Sequence, residues 1–250
     1  MKIVIVSDIH GNFEALSALG DTYDELWVLG DLVNYGPDPE AVIDFVRSRA
    51  ALIVRGNHDH SIGFNEDPRC SARFREMAEA TRRYTDSVLK FGHKHFLRNL
   101  PLYTETRRGQ TRFYLCHAVP SDPLFGYCEA ASPLWQQEVH DVAADIILVG
   151  HTHVPAMRSL GSCIIVNPGS LGQPKTGSPE ACYAVWEDGK IELKSYPYPA
   201  DATVAKVQAL PLDGGIRDEL SFILRTGQIP PALPRSTQKE VPDEHPKVGP

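Results

Sequence analysis

Eight residues able to bind metal or move protons stand where apolar runs stop. Asp8 and His10 follow IVIVS, Asp31 follows LWVLG, and Asn57 and His58 follow LIVRG; His117 follows RFYLC, and His151 and His153 follow IILVG. Two carboxylates, an amide oxygen and several imidazoles mix hard oxygen with borderline nitrogen donors. Such a set suits Mn²⁺, Fe or Zn²⁺ better than Ca²⁺ or a thiolate-bound metal. Setting His58 aside, the remaining donors are too many for one tetrahedral ion but suit two ions sharing a carboxylate, with Asp31 of the central GD turn as the natural bridge. Two divalent cations against Asp8 and Asp31 leave about +2 at the site, so an anion with several oxygens is the expected guest. Metal pairs of this kind clamp the attacking and leaving oxygens in phosphate-ester hydrolysis.

These donors need elements that bring them to one place. Before residue 100 the chain alternates β-type runs with helical patterns: KIVIVS, then NFEALSALG with Asn12 as cap and Leu16 and Leu19 inward; ELWVLG, then DPEAVIDFVRSR with Asp38 at the N-cap; ALIVRG, then a helical stretch from about 71 to 99. Hairpin patterns follow in LYTETRRGQTRFYLCH and in CYAVWEDGKIELKSY, which turns on Asp188-Gly189, with DIILVG and the pair AMRSLGSCIIVN between them. The alternation predicts a mixed α/β sandwich. In open α/β sheets ligands bind outside the carboxyl ends of strands, where all of the donors fall.

In order, DIH (8 to 10), GDLV (30 to 33), GNHD (56 to 59), the lone His117 and GHTH (150 to 153) resemble the motifs of the calcineurin-like metallophosphoesterases, and the likeness reaches to about residue 200. It implies a four-layer α/β/β/α sandwich of two mixed β-sheets flanked by helices. It also implies one ion on Asp8, His10, Asp31 and His153 and another on Asp31, Asn57, His117 and His151, with Mn²⁺ first and Fe, Zn²⁺ or Ni²⁺ as alternatives. Asn57 and His58 would contact a small phosphate-ester substrate. A bridging water would attack phosphorus, and His58 would protonate the departing oxygen.

One departure bears on substrate. The phosphoprotein phosphatase branch carries GDxxDRG, whose second Asp orients the proton donor and whose Arg binds phosphate; here GDLVNYG places Asn34 and Tyr35 there. The loss of that Arg favours the small bacterial phosphodiesterase branch over a phosphomonoesterase, a branch that NPGSLGQP (167 to 174) also resembles. Glycines in that stretch either admit backbone amides to the site or form a plain turn. Specificity is expected in AVPSDPLFGYCEAASPLW (118 to 135), where Phe125, Tyr127 and Trp135 either stack on substrate or pack in the core. Asp59 is read as orienting its loop and His60 as a satisfied surface histidine. The HKH of 93 to 95 and the Arg107-Arg108 pair read as solvated, and Cys116 as core. A protein-binding scaffold on the same fold is the non-enzymatic alternative, and the complete donor set argues against it.

With 250 residues and 42% hydrophobic content the chain can bury a sizeable core. A net charge of -7 speaks against an extended nucleic-acid surface, and no run is apolar enough for a membrane span or secretory segment, so a cytoplasmic, unanchored protein is expected. Five scattered cysteines without a CxxC pair suit reduced thiols packed in the core. The expected catalytic domain covers 1 to 226. From 227 the proline-rich GQIPPALPRSTQKEVPDEHPKVGP reads as a mobile or surface-lying tail.

Overall fold

The computed structural model describes residues 1–231; most of the proline-rich tail expected from 227 lies outside the described residues. Ten strands form two five-stranded sheets. The first contains β1 (Lys2–Val6), β2 (Glu25–Val28), β3 (Ala50–Ile53), β9 (Ala181–Glu187) and β10 (Lys190–Tyr196) in the order β10-β9-β1-β2-β3. The second contains β4 (Tyr103–Arg108), β5 (Thr111–Cys116), β6 (Ile146–Leu148), β7 (Ala156–Leu160) and β8 (Cys163–Asn167) in the order β4-β5-β6-β8-β7. Both are mixed: in the first a parallel run β1/β2/β3 ends at the β3 edge and meets antiparallel β9 on its other side, and in the second a parallel centre β5/β6/β8 lies between antiparallel β4 and β7.

Strand alternation gives each sheet two apolar faces. Ile3, Ile5, Trp27 and Leu29 of the first sheet meet Phe113, Leu115, Ile146 and Leu148 of the second in a buried seam. Trp27 lies edge-on to Phe113, and Phe113 to Trp186, with ring centroids 4.9 and 5.4 Å apart. On its other face the first sheet buries Val4, Val6 and Val28 against α1 (Phe13–Ser17), α2 (Pro39–Arg49) and Leu97 of α5 (Phe91–Asn99). Asn12 caps α1, its side chain accepting from the Ala15 amide, and Leu16 points inward as expected. Asp38 does occupy the α2 N-cap position, but its carboxylate takes Lys206 at 2.8 Å instead of a helix amide. The outer face of the second sheet is covered more thinly, by the 118 to 144 segment and its four-residue α6 (Trp135–Glu138).

Three further helices, α4 (Arg75–Val88), α7 (Ala200–Gln208) and α8 (Gly214–Thr226), pack into a satellite core that reaches Tyr35. The DG turn behaves as its sequence predicts: Asp188 and Gly189 both have positive φ, 48° and 88°, as a type I′ hairpin needs. Four of the five cysteines are buried and all are free; Cys70 is the half-exposed one.

Two surface readings are corrected. His93 is buried between Glu40 and Asp44, 3.6 and 3.4 Å away, because α5 turns that face toward α2, while His95 is exposed. Arg108 is not a free turn residue: two of its nitrogens grip Glu25 at 2.8 and 2.7 Å, and its guanidinium lies over Trp27, tying a β4 edge to the other sheet. Among the described residues no helix is long and apolar enough to cross a membrane.

Candidate metal centre

Beyond their last ladder bonds, β1 and β2 keep running side by side. Asp8 donates its amide to Gly30, His10 to Asp31 and Gly11 to Leu32, at 3.0, 2.9 and 2.8 Å. This carries Asp8, His10 and Asp31 to one point. In the second sheet Gly150 donates to the His117 carbonyl at 2.7 Å, which sets the GHTH turn beside the end of β5. The His151 amide then ties the second sheet to the first by donating to Asp8 Oδ2 at 3.1 Å, and on the first sheet's side the His58 amide donates to Asp31 Oδ1 at 2.8 Å.

Asp8, His10, Asp31, His151 and His153 all adopt left-handed backbone, with φ between 49° and 66°. Asp and His tolerate this region better than most residues, yet each such conformation costs about 1–3 kcal/mol and persists only where the surroundings enforce it. The turn after β1 aims Asp8 and His10 at one donor group, and the turn after β6 sends His151 to one group and His153 to the other. Gly56 permits a close approach, since a Cβ there would strike the Asp31 carboxylate.

Two donor groups result, Asp8/His10/His153 and Asp31/His117/His151, each with ligand atoms within 4.8 Å of one another. Asn57 joins the second: its NH₂ donates to the Pro68 carbonyl at 2.7 Å, which turns its oxygen to within 3.1 Å of His117 Nε2. Asp31 Oδ2 stands between the groups, 3.3 Å from His117 Nε2 and 3.8 Å from His10 Nε2.

This geometry fits cations. The Nδ1 atoms of His10, His117 and His153 donate to the carbonyls of Val33, Leu29 and Gln173, leaving their Nε2 lone pairs turned inward. Asp8 Oδ1 is buried without a hydrogen-bond partner. Burial pushes the Asp8 carboxyl up to about 6 and pulls His10 and His151 down to about 3, so these rings are neutral and competent as ligands. Burial also opposes charge on His117, but Asp31 overrides it and lifts the ring to about 9; a cation bound there would take the place of that proton on Nε2.

Asp59 accepts amides from Asp31, Leu32 and Gly56 at 2.8, 2.8 and 3.0 Å, so it orients two loops at once. His60 pairs with Glu66 at 3.3 Å and stacks on Phe64, outside both donor groups. His58 lies beside them with Nδ1 2.8 Å from the Asn34 amide nitrogen and Nε2 3.4 Å from Cys70 Sγ. Asn34 thus stands where a carboxylate would orient the ring. The amides of NPGSLGQP do approach the site but bond backbone: Leu171 donates to Ser7 and Gly172 to Asp8, bracing the Asp8 turn from behind.

A cavity of about 610 Å³ opens over Asp31, Asn57, His58, His151 and His153 and is also walled by Phe125 and Tyr127. Trp135 is instead buried in the outer core, its indole N–H donating to the Glu129 carbonyl at 3.2 Å. Sequence reasoning missed Cys70 and the cations Arg69 and Lys175 on the same walls. No motif marks them; Lys175 directly after GQP was the one available signal.

Two mixed sheets that deliver carboxylates, imidazoles and an amide to a common cavity define a phosphoesterase of the metal-dependent class. The chain belongs to the calcineurin-like phosphoesterase superfamily, whose domain matches residues 1–189. Members of that superfamily use divalent metals. An uncharacterized protein of Methanocaldococcus jannaschii is 31% identical over 229 residues, covering 82% of this chain and 91% of the relative. The Escherichia coli phosphodiesterase YfcE is 26% identical, covering 77% of this chain and 91% of its own. Among solved structures, a metallophosphoesterase from Sphaerobacter thermophilus superposes with a TM-score of 0.75 at 28% identity, over 88% of this chain and 98% of that one.

Proposed function

We propose that the chain is a cytoplasmic hydrolase of small phosphodiesters working through a dinuclear centre. The observation that carries this reading is the meeting of two donor groups about Asp31 at the floor of one cavity. The relationship to a phosphodiesterase across most of both chains supports it. One ion would be held by Asp8, His10, Asp31 and His153 and the other by Asp31, Asn57, His117 and His151, with Mn²⁺ first and Fe, Zn²⁺ or Ni²⁺ as alternatives. Such a pair supplies Lewis acidity and an activated water.

The protein's own groups do the rest. Asn57 is a neutral ligand, so it leaves the positive charge of the site undiminished, and the N–H of its amide that is not given to Pro68 would serve the substrate's nonbridging oxygens. His58 holds a proton for the departing oxygen: burial works against its charge, but Cys70 and Asp31 lift the ring to about 9. Asn34 fixes the ring plane through Nδ1. Phe125 and Tyr127 give the cavity an aromatic wall for the substrate.

One observation favours a phosphomonoesterase as the second reading. Arg69 and Lys175 return to the cavity the cationic groups that GDLVNYG lacks. Turnover of bis(p-nitrophenyl) phosphate and p-nitrophenyl phosphate by the manganese-loaded protein decides between them. A diester kcat/KM at least about tenfold higher is expected, a difference of roughly 1.4 kcal/mol. Preference for the monoester would establish the second reading, and no turnover of either with metal bound would return the scaffold.

A further inference from the structure

Arg69, in the loop after α3 (Asn57–Phe64), and Lys175, in the turn after β8, line the cavity that holds the donor groups. Among the described residues neither makes a salt bridge, and each rests on an aromatic ring: the Arg69 guanidinium lies 4.2 Å over Phe125, and the Lys175 ammonium 4.6 Å over Phe74, another wall of the cavity. The charge of Lys175 is felt in both donor groups, by Asp8, His10 and His153 and by His151, and Arg69 follows Pro68, whose carbonyl holds the Asn57 amide.

The charge balance is then informative. Two divalent ions against Asp8 and Asp31 leave about +2, and Arg69 and Lys175 raise this to about +4 in a confined cavity. A simple diester brings a single negative charge. Half-buried Lys175 and exposed Arg69 make no salt bridge among the described residues, and stacking on the rings leaves their N–H groups free to donate to an anion supplied from outside.

Resting on the reading of the site as a phosphodiesterase, we propose that Lys175 and Arg69 form an anion-recognition subsite, and that the substrate is a diester carrying a second anionic group besides the phosphoryl unit at the metals. Both residues act on substrate directly and select for charge. Neither is needed to hold an ion.

The test compares wild type with Lys175→Met, Lys175→Arg and Arg69→Met on bis(p-nitrophenyl) phosphate, which has one negative charge, and ADP-ribose, which has two. Calorimetric binding of α,β-methylene-ADP gives a readout without turnover. Removing either charge is expected to lower kcat/KM for ADP-ribose about 10- to 100-fold more than for the nitrophenyl diester, mainly through KM, the size of a lost charge-assisted hydrogen bond. Methylene-ADP should weaken by a similar factor, and Lys175→Arg should restore most of both. Equal losses on the two substrates overturn the subsite, as does methylene-ADP binding that is absent or indifferent to both residues. If no ester is turned over but methylene-ADP still binds in a Lys175-dependent way, the subsite stands and the hydrolytic reading falls.

Discussion

His10 and His153 face each other with their Nε2 atoms 3.1 Å apart, and each ring is pinned from behind through Nδ1, to Val33 and Gln173. Two lone pairs held that close repel unless a positive charge stands near both. A cation bound between these rings would remove that repulsion. Stripping metal with EDTA should lower the midpoint of thermal unfolding, and Mn²⁺ should restore it. A single site at a hundredfold excess over its Kd contributes about 2.7 kcal/mol, or roughly 5–10 °C for a chain of this size. Scanning calorimetry with and without chelator measures this; identical melting curves would contradict it.

His58 touches the cavity without belonging to either donor group. Replacing it by Ala should lower turnover about 10²- to 10⁴-fold while metal content, read by mass spectrometry, stays near wild type. The loss should be larger for an alkyl than for a nitrophenyl leaving group, because the poorer one needs the proton more. Loss of both metals would place His58 among the ligands instead.

Phe113 is 1% exposed and sits edge-on to both Trp27 and Trp186 in the seam between the sheets. Phe113→Ala removes a large ring where rigid strands on both sides leave little room to collapse. Urea denaturation should show a loss of about 3–5 kcal/mol. A loss below about 1 kcal/mol would mean that the seam closes over the gap.

At the opposite end of β6 from the GHTH turn, Asp145 accepts two side-chain bonds and a backbone amide from Arg112 on β5. Those bonds hold its carboxyl at about 2, against an ordinary value of 3.8. A carboxyl depressed on folding stabilises the fold above pH 3.8, and this contribution is lost as pH falls through about 2. Carbon-detected NMR titration should place its midpoint near 2, and Arg112→Ala should return it to about 3.8.

The strands and donors were legible because each buried run stops abruptly on a polar residue, and Asn12, Pro39 and Asp188-Gly189 mark their own caps and turns. What the sequence hid is tertiary. α3 begins at Asn57 itself, so Asn57 and His58 lie in a first helical turn closed by Asp59 on the Gly56 amide, where the polar residues read as a loop. The burial of His93 depends on Glu40 and Asp44 arriving from α2, and the grip of Arg108 depends on Glu25 from the other sheet. Lys175 and Arg69 become cavity residues only once loops a hundred residues apart close over the same space. Local periodicity carries no record of such meetings.

Each donor group draws on both sheets: Asp8, His10 and Asp31 come from turns of the first, His117, His151 and His153 from the second. No complete triad is available until the chain has been made as far as His151 and the second sheet has docked. Metal capture would therefore come late in maturation, and a bound ion would report that both halves of the sandwich had been assembled in register.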